Sequence, residues 1–206
     1  MKDNQKAHWD YVYTNKTPEQ VSWTQSVPQT SLDFIHSFQL SKDSSIIDIG
    51  GGDSNLVDFL LQEGFKNITV LDISEAAIEK AKTRLGQKSK LVKWVVSDIT
   101  EFKTDEHFDL WHDRATFHFL TSKSQISAYL QIAGKAINNY MVVGTFSENG
   151  PDKCSGLPIK QYTEVQLKSQ LKKDFKKVKC INEDHITPFQ TKQNFLFCSF
   201  KKKEIN

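Results

Sequence analysis

Short continuous apolar runs alternate along the chain with segments whose apolar positions recur every three to four residues. The first run, Ile46-Ile47-Asp48-Ile49, is rich in isoleucine and reads as a buried parallel strand. Gly50-Gly51-Gly52 follows it, and Leu56-Val57-Asp58-Phe59-Leu60-Leu61 reads as a helix leaving the turn. A second strand is expected over 68–73 and a helix over 75–85, with Ala76, Ala77, Ile78, Ala81 and Leu85 on its buried side. Strands over 93–96 and 108–112, a helix over 123–137 and a strand over 140–146 continue the alternation, with Asn138-Asn139 as the connection before the last of these. Thr163 with Gln166 three residues on forms a capping-box pattern for a helix reaching about residue 172. Two final strands, 176–186 and 194–201, are joined by so short a link, Thr187-Pro188-Phe189-Gln190-Thr191, that they must run antiparallel.

Two stretches stand apart from this alternation. Residues before Ser45 are unusually aromatic for a leader, with Trp9, Tyr11, Tyr13 and Trp23, and continue into an amphipathic pattern over 32–38 suited to cover the first strand. These aromatics either pack on the sheet edge or fold over a ligand as a lid that excludes water, and both readings can hold for different residues. The long loop over 147–158 is dense in turn formers and leaves the carboxyl end of the fifth strand, a position that favours a wall of a binding pocket.

The 206 residues, 38% of them hydrophobic, fit one domain spanning 1–206, with 1–40 as a helical or lid segment. No apolar run approaches twenty residues and the first six residues are polar, so a soluble, cytoplasmic protein with no membrane partner is expected. Cys154, Cys180 and Cys198 are odd in number and lack metal-ligand spacing, so reduced thiols are the expectation and a disulfide framework or zinc site is not. A net charge of +2 is too small for a nucleic-acid footprint, and the lysines crowding 168–179 and 201–203 read as a solvated face. The oligomeric state is left open.

Strand, glycine turn and helix together make a nucleoside-sized site. Asp72, twenty residues past Gly52, stands at the end of the second strand, where its carboxylate can accept from ribose hydroxyls, with Ile73 beside it. The charge at the turn decides between nucleosides. A pyrophosphate is repelled by carboxylates, and this turn has two, Asp48 and Asp53, while the third glycine of a dinucleotide pattern is replaced by Asn55. S-adenosylmethionine carries an ammonium and a sulfonium, which suit those acids. Asp98, closing the third strand, can accept from the adenine amine while the backbone of Ile99 donates to the ring; the bland alternative is a turn cap. Asp113, Arg114 and His118 follow the fourth strand. Arg114, one of two arginines against 25 lysines, offers a fork of donors for a carboxylate or an internal salt bridge. His112 reads as a core histidine, and His118 as the imidazole that meets substrate.

Asp48-Ile49-Gly50-Gly51-Gly52, Leu71-Asp72-Ile73-Ser74, Ser97-Asp98-Ile99 and the stretch from Phe108 to Leu120 resemble the ordered motifs of class I S-adenosylmethionine-dependent methyltransferases. His8-Trp9-Asp10, Val21-Ser22-Trp23 and Cys154-Ser155-Gly156-Leu157-Pro158 are similar to a poorly characterised group within them. The resemblance implies an α/β fold with a Rossmann-like, doubly wound, seven-stranded and mainly parallel sheet ending in an antiparallel hairpin. It implies S-adenosyl-L-methionine held by Asp48, Gly50, Gly51, Gly52, Asp72, Ile73, Asp98 and Ile99, with Trp9 and Trp23 closing over it. Arg114 and Cys154 are the expected acceptor contacts, and His118 or Asp113 the base where the nucleophile arrives protonated. No Asn-Pro-Pro-Tyr or Pro-Cys stretch supports base methylation. The acceptor is then a small molecule or a protein side chain such as lysine, the former slightly favoured, and a non-catalytic cofactor-binding protein is the alternative.

Overall fold

In the computed structural model, which describes residues 2–204, helix α1 (Lys2–Asn15) and helix α2 (Gln29–Ser37) precede the sheet. The sheet and its helices then follow as β1 (Ser45–Ile49), α3 (Leu56–Gln62), β2 (Asn67–Asp72), α4 (Glu75–Leu85), β3 (Val92–Val96), β4 (Phe108–Arg114), α5 (Lys123–Ala136) and β5 (Ile137–Phe146). A small hairpin of β6 (Lys153–Cys154) and β7 (Leu157–Pro158), helix α6 (Glu164–Leu171) and strands β8 (Phe175–Ile186) and β9 (Lys192–Lys202) complete the order. The seven-stranded sheet runs β3-β2-β1-β4-β5-β9-β8, parallel from β3 to β5, with β9 antiparallel to β5 and β8 antiparallel to β9. This is the expected doubly wound architecture with its terminal hairpin.

Both faces of the central strands are dry, which is why β1 reads as a continuous isoleucine run rather than an alternation. Ile46 faces α2 and α3, packing with Leu32, Phe34, Ile35, Leu56 and Leu60. Ile47 and Ile49 face α5 and α6, packing with Tyr129, Ala133, Leu167 and Leu171. All three isoleucines are fully buried, and each contributes roughly 1.5–3 kcal/mol by leaving water. The helix ends follow the sequence signals: Ser74, Ser122 and Thr163 each accept a backbone N–H three residues on, and Gln166 closes the capping box of α6. Among the described residues no helix is long and apolar enough to cross a membrane.

Three expectations are corrected. Asn138-Asn139 is not a connecting turn: the chain passes from helix to strand at Ile137, already extended, and Asn139 Nδ2 donates to Asp109 Oδ1 at 3.0 Å. The loop over 147–158 is not wholly irregular, because Ser155 and Gly156, both with positive φ, turn β6 back onto β7. Nor are all three cysteines free. Cys180 and Cys198 stand opposite each other on β8 and β9 with Cα atoms 4.1 Å apart and form a disulfide, leaving only Cys154 as a thiol. Pairing across the sheet depends on register, which spacing alone does not reveal. Because the bond closes a loop of 18 residues in the unfolded chain, reduction should lower stability by about 2–4 kcal/mol. Denaturant unfolding with and without a reductant measures this; equal midpoints would mean that the cross-link constrains nothing.

Candidate active site at the carboxyl ends of the strands

The glycine turn after β1 is shaped by three side chains that crowd it. Gly50 has φ +66°, and a β-carbon there would collide with Thr116 Oγ1. A β-carbon on Gly52 would sit 2.5 Å from Asp72 Oδ2. Gly50 N–H and Gly51 N–H both donate to Leu71 O, at 2.7 and 3.3 Å, which fastens the turn to the end of β2. Asp48 is buried below the turn, and its Oδ1 is 2.7 Å from His112 Nδ1, while His112 Nε2 is 2.9 Å from Ser31 Oγ on α2. His112 is therefore the satisfied core histidine its position at a strand end suggested.

One cavity opens above these strand ends. Its lining includes Asp48, Gly50, Asp72, Ile73, Asp98 and Ile99 on one side and Arg114, Ala115, Thr116, Phe119 and Cys154 on the other, with Trp9, Tyr13 and Trp23 overhead. The structure thus brings together most of the residues singled out in the sequence. Gly51 and Gly52 lie buried beneath, within the turn. Asp72 spends Oδ1 on Ser74 N–H at 2.7 Å, and burial pushes its carboxyl up to about 7. Asp98 accepts from Thr100 N–H at 2.8 Å and Thr100 Oγ1 at 2.7 Å through one oxygen. The cap reading of Asp98 thus holds, and its second oxygen is left for the cavity.

The aromatic leader forms the roof. Trp9 meets Trp23 and Phe119 edge-on at centroid distances of 5.6 and 5.2 Å, and Tyr13 meets Trp23 at 6.0 Å. Asp10, from the same helix, accepts from Ser74 Oγ at 2.8 Å and Ala76 N–H at 3.3 Å, so α1 is latched to the first turn of α4 beside Asp72. Asn55 Nδ2 donates to Gln25 O at 2.9 Å and ties the end of the leader to the glycine turn.

Three assigned roles are corrected by position. Asp53 is ion-paired with Arg84, so its charge is spent outside the cavity. Asp113 is fully buried and accepts from Thr116 N–H, Phe117 N–H and Tyr129 OH, at 3.0, 3.1 and 2.7 Å. It shapes the turn after β4 and does not line the cavity. His118 does not line it either. Its ring is fully buried and stacks on Phe146 at 4.5 Å, its Nδ1 accepts from Phe146 N–H at 3.3 Å, and burial lowers its pKa to about 3, so it stays neutral. Cys154 does reach the cavity, where it was expected, and burial pushes its thiol up to about 12, so it stands there as a neutral wall. Sequence reasoning passed over Thr116, Phe119 and Ala115, the last held at φ +68° in the turn that presents them. It also missed the latch by Asp10.

Residues 46–138 match the family model described as a methyltransferase domain. A malonyl-[acyl-carrier protein] O-methyltransferase of Anoxybacillus flavithermus is 38% identical over 88 residues, which are 42% of this chain and 33% of that protein. The chain spans about a third of the length of the curated relatives it matches. Among solved structures, an S-adenosylmethionine-dependent methyltransferase of Anabaena variabilis has a TM-score of 0.76 at 14% identity, over 98% of this chain and 95% of that one. The N-methyltransferase NodS of Bradyrhizobium japonicum, in complex with S-adenosylhomocysteine, has a TM-score of 0.66 at 18% identity, over 98% and 97%. Residues 46–138 thus form a methyltransferase domain, and the whole chain has the fold of S-adenosylmethionine-dependent methyltransferases.

The state of Asp72 gives a pH dependence. Ribose hydroxyls donate to a charged carboxylate, so binding favours ionisation and releases a proton wherever Asp72 was protonated. Affinity for S-adenosylhomocysteine should therefore rise as pH is raised through about 7. Calorimetry in two buffers of different ionisation enthalpy reads both the affinity and the proton release. A flat profile with no proton exchanged would place Asp72 outside the ribose contact.

Proposed function

We propose that the protein transfers a methyl group from S-adenosylmethionine to a small-molecule acceptor. The observation that carries this reading is that Asp98, Asp72 and Asp48, at the ends of β3, β2 and β1, face one cavity roofed by Trp9 and Trp23. The acids fit the cofactor end to end. Asp98 with the backbone of Ile99 suits the adenine amine and ring, Asp72 the ribose hydroxyls, and Asp48 the cationic methionine portion. When bound, S-adenosylmethionine supplies an electrophilic methyl carbon on a sulfonium. The chain's own part is to hold the acceptor in line with it and keep water away, and positioning of this kind can contribute on the order of 7–11 kcal/mol.

The acceptor side of the cavity, Arg114, Ala115, Thr116, Phe119, Leu120 and Cys154, offers no group poised to take a proton at neutral pH. His112, the imidazole of the lining, is committed at both nitrogens to Asp48 and Ser31. This supports a nucleophile that arrives already deprotonated or a proton that leaves to water after transfer. The relative named for O-methylation of malonyl-[acyl-carrier protein] supports an oxygen nucleophile on an acyl group.

Two outcomes test the reading. Asp72→Ala should weaken S-adenosylhomocysteine binding at least about tenfold, because two charge-assisted bonds worth roughly 1.5–3 kcal/mol each are removed. An unchanged dissociation constant, or equal binding of a nicotinamide dinucleotide, would contradict it. Neither core cluster contains a residue before Trp23, so removing residues 1–25 should leave a folded sheet that binds the cofactor much more weakly. A chain that no longer folds would show the leader to be core and not roof.

A further inference from the structure

Arg114 is the one lysine or arginine among the lining residues of the cavity. It is the last residue of β4, two along from His112, so its side chain rises on the sheet face that carries α2 and α3. Its Nη1 donates to Trp23 O at 2.9 Å, and its Cζ lies 5.1 Å from the centre of the Phe195 ring. The remaining donors, Nε and Nη2, are shut off from solvent and have no partner, and among the described residues no carboxylate oxygen comes within 4.0 Å of the guanidinium. Glu183 is the acid with the largest compensating influence on it, but its buried Oε2 is itself unpartnered. Burial lowers the pKa of Arg114 to about 10, which leaves it charged at neutral pH. The internal salt bridge weighed as the alternative role for this arginine is therefore not formed.

A desolvated cation with two idle, adjacent donors is costly unless an anion completes it. The planar fork of Nε and Nη2 matches the two oxygens of a carboxylate. Place narrows the ligand further. The acids assigned to the nucleoside lie toward β2 and β3, whereas Arg114 stands on the other side of β1, at the end of β4. It also lines the groove that continues between the leader and α4, past Thr17, Thr24 and Lys80, so it sits where a second ligand entering by that groove would meet the cofactor.

We propose that Arg114 receives the carboxylate of the methyl acceptor, and that the acceptor is a small carboxylic acid. This rests on the methyltransferase reading above and deepens it. Arg114 is a binding and specificity residue: it fixes one end of the acceptor and rejects neutral analogues, which would leave its buried donors unpaired.

The test uses the full chain, wild type beside Arg114→Met and Arg114→Lys, with folding checked by near-ultraviolet circular dichroism. S-adenosylhomocysteine and 5′-methylthioadenosine, which lacks the carboxylate, are titrated into each protein. The proteins saturated with S-adenosylhomocysteine are then titrated with malonate and benzoate, and with malonamide and benzamide as neutral controls. The expected result is that both nucleosides bind all three proteins alike. At least one of the two acids should bind the saturated wild type, weaken about tenfold or more in Arg114→Met, and weaken partly in Arg114→Lys, which keeps the charge without the fork. The amides should not bind. Acid binding that is absent from the wild type or unchanged in the variants overturns the proposal. So does a loss of S-adenosylhomocysteine affinity in the variants that spares 5′-methylthioadenosine, since the guanidinium would then hold the cofactor's own carboxylate. If Arg114→Met does not fold, Arg114→Lys decides alone by the same readouts. A wild type that binds neither nucleoside sinks the methyltransferase reading first, and the acceptor assignment with it.

Discussion

The buried pair of Asp48 and His112 is the constraint on which the site depends. A carboxylate this far from water is stable only with its partners in place, and removing one partner of such a pair costs roughly 3–5 kcal/mol. Here His112 Nδ1 meets Asp48 Oδ1 at 2.7 Å, and Ser31 fixes the far side of the imidazole at 2.9 Å. One hydrogen-bonded chain therefore joins β1, β4 and α2 directly under the glycine turn. It also dictates the turn's composition, because a β-carbon on Gly51 would come within 2.5 Å of Asp48 Oδ2. The glycines are as much a response to crowding by Asp48, Asp72 and Thr116 as a provision for a ligand.

From this pair the rest follows outward. With Asp48 fixed, the turn is pinned to Leu71 O at the end of β2, and Asp72 and Ser74 stand next to it. Ser74 caps α4 and also donates to Asp10, so the position of the roof helix is tied to the residue two along from Asp72. One hydroxyl thus ties the helix above the cavity to the strand end below it. Arg114 is the one lysine or arginine in a chamber whose other charged groups are the acids at the strand ends.

Much of the fold was legible because its signals are local. Apolar runs such as Ile46-Ile47 and Val142-Val143 have only a two-sided burial to satisfy, and Ser or Thr followed three residues later by Gln marks helix starts that the structure keeps at Ser122 and Thr163. That Asp48, Asp72 and Asp98 line one cavity was legible because each lies at or beside the end of a strand next to a glycine or turn. What was not legible depends on pairing between distant segments. The Asp10–Ser74 latch and the Asp48–His112 pair each span 64 residues, and the disulfide needs the register of β8 on β9. Position after the strand placed His112 in the core, where it lies, but it did not show that His118 is buried as well. Their roles were separated by what surrounds each ring: an acid and a hydroxyl for His112, and an aromatic face with a backbone N–H for His118.

The most direct measurement of the central claim is a crystal structure of the protein grown with S-adenosylhomocysteine. The account predicts ribose hydroxyls on Asp72, the adenine amine on Asp98, and Trp9 and Trp23 closed above the nucleoside. A nucleoside bound elsewhere, or one lying in this cavity with Asp72 and Asp98 turned away from it, would contradict the account.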